Sequence, residues 1–166
     1  LAFYKKNYPE GRIESAHVLV HLGVLYKEMK NYNQAKDILK KSLIIYERHY
    51  GKNHIETAQV LKKLGQVYLL ENNMEAAENH FRKALDILTK HNHPKAYIAL
   101  EGISESYLRK FVYAKNQEKP QQQTIKNQIM ENLTQALKIM SDHFPKDSPH
   151  MTRIQSKINS ISENPI

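Results

Sequence analysis

A shift of 42 residues lays this chain on itself without a gap. Ile13-Glu14-Ser15-Ala16 falls on Ile55-Glu56-Thr57-Ala58, and Leu19, Leu22, Gly23 and Tyr26 fall on Leu61, Leu64, Gly65 and Tyr68. Further along, Ala35, Leu39, Ser42 and Leu43 fall on Ala77, Phe81, Ala84 and Leu85. A period of this length signals stacked units, none of which can bury its hydrophobic face alone. Run backwards, the shift sets Leu1, Tyr4, Lys6 and Tyr8 on Leu43, Tyr46, Arg48 and Tyr50, so residues 1–10 read as the second helix of a truncated repeat. Regular units then occupy 11–52 and 53–92. A third, over 93–144, matches the second at a shift of 39 through Leu100, Ile103, Ser104 and Tyr107, then at 52 through Ile129, Leu133, Ala136 and Leu137. The two shifts differ by a 13-residue insertion at about 110–124. There the run Gln117–Gln123, with Pro120 inside it, predicts a polar loop.

Within a unit the apolar spacing is helical. Leu61, Leu64 and Tyr68 form one stripe and Ala77, Phe81, Ala84 and Leu88 the next. Asn72-Asn73 separates them, and Asn tolerates the left-handed backbone that ends a helix, so each unit reads as a helical hairpin. Gly23, Gly65, Ala77 and Ala84 are predicted where helices approach closely, with Tyr26, Tyr68 and Phe81 filling the gaps beside them. Ser42 stands at the first copy's Ala position. Ser104 at the Gly position and Ile129 at an Ala position predict a splayed or rearranged third hairpin. A last amphipathic helix over 149–162 carries Met151, Ile154, Ile158 and Ile161 on one side and is expected to cap the array. With only 5 Gly and 6 Pro, little interrupts helix. The expected fold is an all-α solenoid of antiparallel helix pairs with a C-terminal capping helix, one helical-repeat domain over 1–166.

The pattern Leu61-x2-Leu64-Gly65-x2-Tyr68 followed by Ala77-x3-Phe81-x2-Ala84 resembles the tetratricopeptide repeat. That repeat is usually about 34 residues long; the longer period here is similar to the long repeats of kinesin light chains and their bacterial relatives. The resemblance covers about residues 1–144. It implies a right-handed superhelix whose first helices line a concave, peptide-binding groove. By register, the groove-facing positions are His17, Val20, His21 and Val24, then Gln59, Lys62, Lys63 and Gln66, then Ile98, Glu101, Gly102 and Glu105. Such a groove runs from imidazole and apolar, through a positive centre, to a negative end. Its complement is an extended peptide, acidic near the middle and apolar or aromatic toward the first copy. The Lys and Asn clamp of chaperone-tail-binding members is not matched, since Gly102 stands where an Asn belongs, or Val20 and Val24 in the other register. Kinesin light chains take acidic peptides containing tryptophan, with which Lys62 and Lys63 are loosely compatible.

Other chemistries find little footing. With no cysteine, there is no disulfide, no thiol nucleophile and no thiolate metal site. His17 and His21 have the spacing of a metal pair, but only Glu14 lies within a turn and no His-Glu-x-x-His motif accompanies them. His54 and His93 precede helices and are expected to satisfy backbone groups there. No Gly-x-Ser-x-Gly elbow or glycine-rich phosphate loop occurs, Glu101 and Glu105 read as surface carboxylates, and no enzyme or cofactor is expected. The formal net charge of +8 raises nucleic acid as a partner. The positives are dispersed, however, and interleaved with Asp37, Glu75, Glu78 and Asp86, which favours a solvated face. The insertion, with Lys110, Lys115, Lys119 and Lys126, is a secondary contact candidate. No apolar run approaches the roughly 18 residues of a membrane span, and a cytoplasmic setting, or delivery to a host cytoplasm, is expected. The reading is a protein-interaction scaffold. A sensor or oligomerisation arm of a larger enzyme or switch is the alternative, homo-oligomerisation stays open, and electrostatic nucleic-acid binding ranks third.

Overall fold

The computed structural model describes residues 12–113 and 119–163, so the half-repeat expected at 1–10 lies outside the described residues. Seven helices follow one another: α1 (Ile13–Glu28), α2 (Tyr32–Tyr50), α3 (Ile55–Leu70), α4 (Met74–Lys90), α5 (Ala96–Tyr113), α6 (Lys119–Ser141) and α7 (Pro149–Glu163). The described residues contain no strand. Each helix packs on the next, and the backbones of α1, α3 and α5 also approach in series, whereas those of α2, α4 and α6 stay farther apart. The closer spacing on the odd side bends the array into a solenoid with α1, α3 and α5 on its inner face.

The turns within the first two hairpins follow from their residues. Lys30 and Asn72, at φ 59° each, occupy the left-handed region. The amides of Asn31 and Asn73 then donate back to the carbonyls of Tyr26 and Tyr68, at 2.8 and 2.9 Å, closing a Schellman turn. The same two asparagines start the following helix, accepting with their side chains from the amides of Gln34 and Ala76. One asparagine therefore ends one helix and begins the next.

The third hairpin corrects the expected loop. At the 39-residue shift, Phe111-Val112 replaces Asn72-Asn73, so no left-handed residue stops α5, which runs on to Tyr113. Helix α6 starts at Lys119 and takes in most of the Gln-rich run. Gln and Lys are good helix formers, and Pro120 sits in the first turn, where its missing N–H costs no helical hydrogen bond. The insertion lengthens both helices. Nor is the hairpin splayed, since α5 and α6 pack as extensively as the other pairs. The Ser104 hydroxyl is satisfied by the Leu100 carbonyl at 3.0 Å, and Ile129 is buried.

The core is a string of overlapping clusters. The first joins Ala16, Leu19, Ala35, Leu39 and Tyr46 to Val60, Leu64 and Val67 of α3. The next two carry the packing from α3 and α4 into α5. The last gathers Tyr97, Leu100, Ile129, Leu133 and Met140 around Ile154 of α7, with Met151, Ile158 and Ile161 beside it. Helix α7 thus covers the apolar end of the α5–α6 pair.

Candidate functional site

The inner face is built by α1, α3 and α5, and its centre is Lys62. This residue is 6% exposed, its stem lying along the helix contacts. Among the described residues every fully buried side-chain nitrogen or oxygen has a hydrogen-bond partner. The Lys62 amine has none, so it must reach the groove surface, with an apolar stem and a wetted head. Lys63 is half-buried beside it. Burial first, then Lys95 and Lys63, pushes the Lys62 ammonium down to about 8. Burial, then Lys27 and Lys95, lowers Lys63 as well. His93 is lowered by burial and by Lys95 and Lys62, with Glu56 opposing. Lys27 has a carboxylate at hand in Glu28, at 2.9 Å.

Both ends of the expected groove are more occupied than the register implied. At the first copy, His17 Nδ1 shares a 2.8 Å hydrogen bond with the Tyr46 hydroxyl, and its ring stands edge-on to that tyrosine. Val20 packs against the core, while His21 stays exposed. At the third copy the negative end is neutralised. Glu101 accepts from Arg153 and Lys157 of α7, each at 2.7 Å, and Glu105 pairs with Arg109 at 2.9 Å. Ile98 packs on the cluster that α7 completes. Gly102 is turned toward α4, its missing side chain making room for Phe81. Val24, Gln59 and Gln66 are partly exposed around the lysines. The centre alone combines access with uncompensated charge.

Sequence register could not find Lys95 or Lys27. Lys27 lies in the last turn of α1 and Lys95 just ahead of α5, and only the approach of α1, α3 and α5 brings their fields to bear on Lys62 and Lys63. The two loop histidines behave as expected: His54 Nδ1 accepts from the Glu56 amide at 3.2 Å, and His93 Nδ1 from the Lys95 amide at 3.1 Å. Among the described residues no group of three or more His, Asp or Glu is placed to hold a metal ion. No helix among them is long and apolar enough to cross a membrane.

The tetratricopeptide repeat family matches residues 14–90, the first two hairpins almost entire. No curated protein matches the sequence; solved structures match the fold. Two crystal structures of a kinesin light chain-like protein with nearly identical TPR-like repeats from Podosopora anserina superpose with TM-scores of 0.74 and 0.72. Each is 13% identical, over 98% of this chain and 72% of the other. BtubC (BKLC) of P. vanneervenii superposes with a TM-score of 0.50 at 13% identity, over 95% of this chain and 67% of its own. The likeness is one of fold, a solenoid of helical repeats.

The displaced Lys62 equilibrium has a stability consequence. A lysine whose folded-state value lies near 8, against 10.5 for the free side chain, leaves the folded chain with fewer bound protons than the unfolded chain between those pH values. Stability therefore rises with pH across that window. From pH 7.5 to 9.5 the unfolding free energy of the wild type should gain about 1–2 kcal/mol relative to Lys62→Met. Tyr46, held up to about 12 by burial, works in the opposite direction only above about pH 10. Urea melts at the two pH values measure the difference, and equal slopes for both proteins would show that Lys62 is not displaced.

Proposed function

We propose that this chain is a protein-interaction scaffold that binds an extended, partly acidic peptide segment along the face lined by α1, α3 and α5. The fold supports a protein partner. The finer reading rests on one observation, the mostly buried Lys62 side chain whose amine has no counter-ion at the middle of that face. Burying an ammonium without a partner costs stability, and a partner carboxylate would recover that cost on binding. His21, Val20 and Val24 on one side, and Gln59 and Gln66 around the lysines, would flank the peptide.

The test is affinity capture from nuclease-treated lysate, comparing the wild type with Lys62→Glu, Lys63→Glu. The wild type is expected to retain a protein that the variant loses, with unchanged helicity by circular dichroism. The same protein held by both would move the interface off this face and sink the groove reading.

A further inference from the structure

The charges around Lys62 say more about the partner than that it is acidic. Among the described residues none of the amines of Lys62, Lys63 and Lys95 has an ion pair or a hydrogen bond. They come from two helix pairs: Lys62 and Lys63 from α3, Lys95 from the residue just ahead of α5. Each lowers the proton affinity of the Lys62 amine or is itself lowered by its neighbours. His93, in the turn before α5, feels the same field. The carboxylate that registers here is Glu56, and it acts on His93. Elsewhere the charges of the inner face are matched: Arg109 with Glu105, and Glu101 with Arg153 and Lys157 of α7.

We propose that this cationic centre receives a phosphorylated side chain of the partner peptide, with the Lys62 amine on the phosphate and Lys63 and Lys95 supplying the rest of the compensating charge. The inference rests on the groove reading. A single carboxylate would pair with one amine and leave two like charges facing each other in a partly dewatered site, where Coulomb energies are several times those in water. A phosphate monoester carries about −1.5 to −2 charges near pH 7 and three acceptor oxygens. Lysine binds phosphate as a compact point charge, without the planar fork that would favour arginine. Lys62 is buried, Lys63 half-buried and Lys95 exposed at the rim, and Lys63 and Lys95 both act on the Lys62 amine, which is a local concentration of charge. A nucleic-acid backbone instead asks for positives spaced along a surface.

The experiment uses the full chain and three immobilised peptide libraries, randomised around a fixed central phosphoserine, serine or glutamate. Retention on the phosphoserine library is expected to exceed both others by about tenfold or more. Lys62→Gln and Lys95→Gln should each reduce it toward the serine level, while Lys83→Gln, on the exposed side of α4, should not. Circular dichroism establishes that each variant is folded. Equal retention on the glutamate and phosphoserine libraries, lost in Lys62→Gln, overturns the phosphate inference and leaves the groove reading standing. Phosphoserine retention that survives Lys62→Gln overturns the inference too. Retention on no library overturns it as well, and the capture experiment then separates the two readings: a partner lost with Lys62→Glu, Lys63→Glu keeps the groove, and no such partner removes both.

Discussion

Replacing Phe81 by Ala should lower the unfolding free energy by about 3–5 kcal/mol. The ring is 1% exposed and lies where three helices meet. On one side it faces Gly65 of α3 and on the other Gly102 of α5, and a Cβ at either glycine would sit within 3.0 Å of ring carbons. Ala77, Ile103, Tyr68, Leu69, Leu85 and Tyr107 complete the surroundings. Truncation would thus open a cavity walled by glycine backbone, which has no side chains to relax into it. In an array held by nearest-neighbour contacts, loss at this joint also uncouples the two halves. Urea unfolding followed by circular dichroism should show the lower midpoint and a broadened transition. A change under about 1 kcal/mol, within the range of ordinary surface substitutions, would mean that the ring is not the wedge described.

Gly102→Ala should cost about 1–2 kcal/mol net, against the usual direction for a helix interior. Alanine gains about 1 kcal/mol over glycine in helix propensity. Here the added Cβ would stand 2.5 to 2.7 Å from three carbons of the Phe81 ring, and overpacking of that kind costs about 1–3 kcal/mol or more. The ring cannot retreat, because Gly65 already lies close on its far side. Gly65→Ala, with its nearest contacts at 3.0 Å, should be milder. In a Phe81→Leu background the Gly102→Ala penalty should shrink, and a double-mutant cycle reads this coupling directly. Additive effects would show that the glycine and the ring do not compete for space.

This pair illustrates what the residues disclosed on their own. Leu64, Gly65, Tyr68, Ala77, Phe81 and Ala84 announced helix, hairpin and close approach together, because size complementarity at fixed spacing is a local property repeated along the chain. Gly102 was legible as small but not as Phe81's second wall, since its register suggested the groove. Ion pairs such as Arg153 with Glu101 join residues 52 positions apart, and nothing in a helical period encodes such partners. The Gln-rich stretch misled for a different reason. A polar exposed helix and a polar loop share composition, and the helix is favoured here by Gln and Lys propensity with Pro120 in the first turn, where it costs no hydrogen bond. Lys62 and Lys63 were visible as groove candidates; that their charge is left without a counter-ion follows only from the packing around them.

The shared asparagines of the first two turns carry a practical consequence for anyone modifying this protein. Because Asn31 and Asn73 each serve two helices at once, those turns have no residue to spare, and an added residue would forfeit either a helix end or a helix start. The third hairpin has Phe111-Val112 in place of such an asparagine pair, and its thirteen extra residues have been taken up largely by longer helices on either side of the stretch between Tyr113 and Lys119. An epitope or fluorescent reporter belongs there, where the solenoid's register ends at Tyr113 and begins again at Lys119.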